Sequence, residues 1–111
     1  MDLARLTEVL TIPAESTFVV LGLDVQDWGR VLRLPCRYTT PDGASGAFAL
    51  IFDDCREMRW RLYTHYQGDT PALVDLTLGT AAHRKPAHIL TDAFGISLLY
   101  GEFRVTRSPA A

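Results

Sequence analysis

The sequence predicts an all-β or β-dominated α+β fold: an antiparallel β-sandwich or half-barrel with a short N-terminal helix. Three observations predict it. Apolar residues at clear helical spacing occur before Pro13. Beyond Thr17, short segments rich in β-formers follow one another, several of them alternating apolar and polar residues. Turn-forming Gly, Pro, Asp and Thr bound most of these segments.

In chain order, Leu3, Leu6, Val9 and Leu10 fall on one helical face behind Asp2, a residue suited to cap a helix, and Pro13 stops the pattern. Phe18 to Leu23 is an apolar strand ended by Asp24-Val25-Gln26-Asp27. Arg30 to Thr39, Gly46 to Asp53 and Glu57 to Tyr66 alternate. The turn Thr40-Pro41-Asp42-Gly43-Ala44-Ser45 separates the first two, and Gln67 to Pro71 closes the third. Leu73 to Leu78 is a further strand.

Residues 86–94 admit two readings. As a helix, Pro86 stands at its first position, Leu90, Ala93 and Phe94 share a face, and Gly95 ends it. As a hairpin, Ile89-Leu90-Thr91 folds back onto Ile96-Ser97-Leu98. Ile96 to Arg107 is one bent strand or two, with Gly101 at the bend.

Side-chain faces suggest a register. A hairpin around Asp54-Cys55-Arg56 with Asp53 opposite Glu57 sets Phe52 against Met58, Leu50 against Trp60 and Phe48 against Leu62. Opposing Cys36 to Leu50 adds Leu34 and Tyr38 to the same uncharged face, with Trp60 in the core. In that register Cys36 and Cys55 lie over ~15 Å apart, beyond the ~7 Å between Cα atoms that a disulfide spans. The opposite face then carries Arg33, Arg37, Arg59, Arg61, Tyr63 and His65 around the small residues Ala47 and Ala49. Trp28, in an Asp-Trp-Gly turn, is expected to be partly exposed.

The 111 residues suit a single domain over 1–111, because domains cluster near ~100–150 residues. No apolar run approaches the ~20 residues of a spanning helix, so no membrane association is expected. Met1-Asp2-Leu3-Ala4-Arg5 does not open like a secretory leader, so a cytoplasmic location with free thiols is expected. Ten Arg and a single Lys against 13 acids give a net charge of −2. With a pI near 5.8, this disfavours nucleic acid as a partner.

No zinc spacing, phosphate loop, nucleophile elbow or other catalytic signature occurs, so neither a catalytic residue nor a metal or cofactor is expected. Arg56 beside Cys55 could lower that thiol's pKa, but no local signature makes Cys55 a nucleophile. Two constellations remain. The Arg–Tyr–His face has the composition that interfaces favour. It predicts a small non-enzymatic binding or assembly module of a bacterial-type cytosol, docking an acidic protein partner or a second copy in a homodimer. Phe18 to Leu23 and Ile96 to Tyr100, apolar on both faces, point to the same covered surfaces. The alternative is a small-molecule or anion binder, or an enzyme, with a pocket at His83, Arg84, Lys85, His88 and Asp92. On a helix, His88 and Asp92 would share one face there.

Overall fold

Helix α1 spans Leu3–Leu10 in the computed structural model, which describes residues 2–63, 68, 70–79 and 85–107. The Asp2 carboxylate accepts the Arg5 amide at 2.9 Å, a cap that contributes ~1 kcal/mol. Leu6 and Leu10 are fully buried. The helix ends before Pro13: Thr11 turns left-handed at φ 58°, and the Ile12 amide donates to the Thr7 carbonyl at 3.0 Å.

The strands are β1 (Thr17–Val20), β2 (Asp24–Gln26), β3 (Val31–Thr39), β4 (Ser45–Asp53), β5 (Arg56–Leu62), β6 (Leu73–Leu78), β7 (Lys85–Thr91), β8 (Phe94–Tyr100) and β9 (Glu102–Arg107). A first sheet runs β1-β3-β4-β9, with β2 also paired to β3. A second runs β5-β8-β7-β6. Every ladder is antiparallel. The fold is therefore the β-dominated, two-sheet arrangement with one short helix that the pattern predicts. The sheets meet along one side, where the Val20 amide donates to the Pro71 carbonyl at 2.8 Å and Val19 bridges Ala72. On the other side the edges are β9 and β5. Among the described residues no ladder joins these two strands. No helix is long and apolar enough to cross a membrane among the described residues.

The β3–β4 hairpin keeps the expected faces but slides by two residues. Cys36 pairs with Phe48 rather than Leu50, and Leu34 with Leu50. The turn sets this register. Thr40 and Ala44 close it at 2.7 Å around Pro41-Asp42-Gly43, with Gly43 at φ 93°, so the loop is shorter than composition suggested. A slide of two preserves alternation, and Leu34, Cys36, Phe48, Leu50 and Phe52 all remain in the core.

The expected β4–β5 hairpin does not form. At Asp54, φ 55°, the chain leaves the first sheet, and the buried Cys55 donates its amide to the Arg30 carbonyl at 2.8 Å. β5 then joins β8, with Trp60 opposite Ile96 and Leu62 opposite Phe94. β9 takes the place beside β4, with Val105 opposite Leu50 and Phe103 opposite Phe52. β9 offers the same apolar alternation as β5, and the hydrophobic pattern alone does not choose between them. Trp60 consequently lies on an edge strand and is 44% exposed, not central to the core, and Leu62 is 76% exposed. The core instead centres on Phe48, edge-on to Phe18 at 5.7 Å, and on Phe52, which packs against Tyr100 and Phe103.

Residues 86–94 form the hairpin, not the helix. Ile89 pairs with Ile96 and Leu90 with Gly95. Ala87, Ile89 and Thr91 are buried at a period of two. The Thr91 hydroxyl accepts the Ala93 and Phe94 amides at 3.1 and 2.9 Å, which satisfies a buried polar group and closes the turn. At Gly101 the chain changes sheets, so Ile96 to Arg107 is two strands.

Cys36 and Cys55 are free and buried. Burial pushes the Cys36 thiol up to about 12 and also raises that of Cys55, against any lowering by the adjacent Arg56.

Candidate functional site

Alternation along β5 sends Trp60 and Leu62 to the inner face and Arg59 and Arg61 to the outer face of the second sheet. The ladders extend these two positions into rows. Arg59 stands opposite Ser97, Ser97 opposite His88, and His88 opposite Thr77. Arg61 stands opposite Gly95, Gly95 opposite Leu90, and Leu90 opposite Asp75. The middle strand contributes the small residues Gly95 and Ser97, and longer side chains rise on both sides. The result is a groove of about 560 Å³ lined by Arg59, Trp60, Arg61, Tyr63, Asp75, His88, Ile89, Leu90, Gly95, Ile96 and Ser97.

Each wall has its own support. Tyr63 follows β5, and its amide donates to the Ala93 carbonyl at 2.9 Å. A Cβ on Gly95 would lie 3.4 Å from the Tyr63 hydroxyl, so the phenol lies over the glycine. His88 Nδ1 and Ser97 Oγ share a hydrogen bond at 3.1 Å across the floor. At the far wall Asp75 accepts the Leu76 amide at 2.9 Å. Three strand spacings, ~14 Å, separate the backbones of Arg61 and Asp75. The groove is therefore polarised, cationic along β5 and acidic at β6. Among the described residues the ion pairs engage Arg5, Arg56 and Arg104, and neither Arg59 nor Arg61 enters one.

The structure divides the first predicted constellation between two sheets. Arg59, Arg61 and Tyr63 stay together. Arg33 and Arg37 lie on the outer face of the other sheet, Arg33 between Asp24 and Ile51 and Arg37 between Val19 and Ala47. There Ile51, with Arg33 and Arg104 on either side, is only 8% exposed. His65 lies outside the described residues.

The second constellation is also separated. His83 and Arg84 lie outside the described residues. Lys85 donates to the Gly101 carbonyl at 3.2 Å, and Asp92 accepts the Ala72 amide at 2.9 Å, so both tie elements together. The strand, replacing the helix, removes the shared face of His88 and Asp92, and only His88 reaches the groove. Ser97, Gly95 and Leu90 enter the sequence reading only as parts of a helix or hairpin, not as site residues. The hairpin reading of 86–94 carried part of the signal. Folding Ile89-Leu90-Thr91 onto Ile96-Ser97-Leu98 around Asp92 to Gly95 sets Leu90 opposite Ser97. The observed ladder is shifted by two, with Ile89 opposite Ile96 and His88 opposite Ser97.

No family model matches the chain, and no curated protein matches it. Among solved structures it is similar to the crystal structure of an uncharacterized protein from Neisseria gonorrhoeae. The TM-score is 0.57 at 9% identity, and the match covers 80% of this chain and 89% of that one. This likeness is one of fold.

Proposed function

We propose that the protein is a non-enzymatic binding module whose groove on the second sheet receives the acidic groups of a protein partner in the cytosol. The observation that carries the reading is the pair Arg59 and Arg61. They sit side by side on one face of an edge strand, free of ion pairs among the described residues. Guanidinium groups suit carboxylates because their planar donor fork matches two oxygens. His88, Ser97 and Tyr63 add hydrogen-bonding groups nearby. Hydrogen bonds to charged groups contribute ~1.5–3 kcal/mol each, less where solvent and salt screen them. The competing occupant of a cationic surface is a second copy in a homodimer, and sedimentation at micromolar concentration separates the two.

The groove's volume favours one further reading, a small anion as the ligand, because small-molecule sites run from ~300 to 1,000 Å³. Calorimetric titration with decaglutamate and, separately, with citrate distinguishes them. The module reading expects decaglutamate to bind and the Arg59→Glu/Arg61→Glu variant to lose roughly tenfold or more. Citrate binding as tightly as the peptide would transfer the reading to a small-anion site. Binding unaffected by the double charge reversal would overturn the groove as the site.

A further inference from the structure

The groove's cationic wall is also an open edge. β5 pairs with β8 on one side and, among the described residues, with no strand on the other. Exposed edges of this kind invite another chain to add a strand. At its start β5 is blunted by a bulge, where the register shifts between Arg56 and Arg59 and Glu57 takes φ 52°. From Arg59 to Leu62 the ladder is regular. This stretch has a two-faced code: Arg59 and Arg61 face the groove, whereas Trp60 and Leu62 face the other way and are 44% and 76% exposed.

We infer that the partner enters as an extended strand added to β5, with acidic side chains alternating with apolar ones. The inference rests on the groove reading above and specifies its ligand. Directly opposed residues of an antiparallel pair project to the same face, so acids opposite Arg59 and Arg61 fall into the groove. The apolar residues between them cover Trp60 and Leu62, and the two chains' backbone groups pair along the edge. Charge also selects against a second copy here. A continuous antiparallel sheet across a two-fold axis keeps both outer faces on the same side. Registers centred on Arg59, Trp60 or Arg61 then set arginine opposite arginine, which is destabilising. The same residues that keep two copies apart admit an acidic strand.

The test uses the full chain carrying Trp28→Phe, so that Trp60 is the fluorescent reporter, and a short peptide alternating aspartate and valine. Binding should change Trp60 emission and fall roughly tenfold or more in Arg59→Glu/Arg61→Glu. Two further peptides carry N-methyl groups on alternate residues, one in each phase. An added strand bonds through one of its edges, so one phase should abolish binding and the other should leave it intact. If both methylated peptides bind like the parent while the charge reversal still weakens binding, strand addition is wrong and the groove reading stands. If none of the peptides binds, both fall. If the protein sediments as a dimer that the acidic peptide does not compete with, the second copy is the occupant and the inference is overturned.

Discussion

Gly101 lies against Asp54, so closely that a Cβ on the glycine would stand 2.9 Å from the Cβ of the aspartate. Among the described residues these are the two points at which the chain changes sheets, after β4 and before β9. The Gly101 amide donates to the Asp53 carbonyl at 3.0 Å, which locks the crossings together. The contact therefore fixes which strand enters which sheet, and with it the position of β5 as an outer edge.

Gly101→Ala should cost ~1–3 kcal/mol, as overpacking does, because the nearest obstacle is a Cβ and not the mobile end of a side chain. Asp54→Gly in the same chain should recover part of the loss, since it removes the obstacle and suits φ 55°. Urea denaturation of the single and double variants reads both effects. A Gly101→Ala variant as stable as the parent would contradict the crossing as described.

Phe48→Ala should cost ~3–5 kcal/mol, and Trp60→Ala ~1 kcal/mol or less. The first is 1% exposed and edge-on to Phe18, whereas the second lies at an open edge. Equal losses from the two would return Trp60 to the core. Trp28, 103% exposed, should tolerate alanine within ~0.5 kcal/mol.

These assignments mark what local pattern encodes. Alternation identified most strands and their inner faces, because burial on one face requires a period of two. However, β2 formed at Asp24-Val25-Gln26, which reads as a turn, and β7 at residues that also admit a helix. Asp2 and Thr91 act within a few residues of themselves, and Asp2 as a cap and Gly101 as a bend were readable. Strand neighbours were not readable. β5 and β9 present similar apolar alternation to β4, and the choice depends on Cys55 sinking between sheets and on Gly101 meeting Asp54, both long-range contacts. The cationic face was half legible for the same reason. Arg59, Arg61 and Tyr63 share a strand and stayed together, but their link to Arg33 and Arg37 required a β4–β5 hairpin that does not form.

Stability should decline in alkali through Cys36. Burial raises this thiol from 9.0 to about 12, so the folded chain holds the proton over a range where the unfolded chain releases it. The unfolded state then binds fewer protons, and unfolding becomes easier as pH rises from about 9 towards 12, by up to ~1.4 kcal/mol per pH unit. Cys36→Ala should be less stable at pH 7 but show a shallower decline. Identical slopes in both proteins would remove Cys36 as the cause.

Backbone amide NMR during titration with decaglutamate locates the contact proposed for the acidic partner. Shifts should concentrate at Arg59, Arg61, His88, Gly95 and Ser97 and fade as salt rises. Shifts centred on Arg33, Arg37 and Arg104, on the other sheet's outer face, would contradict that location.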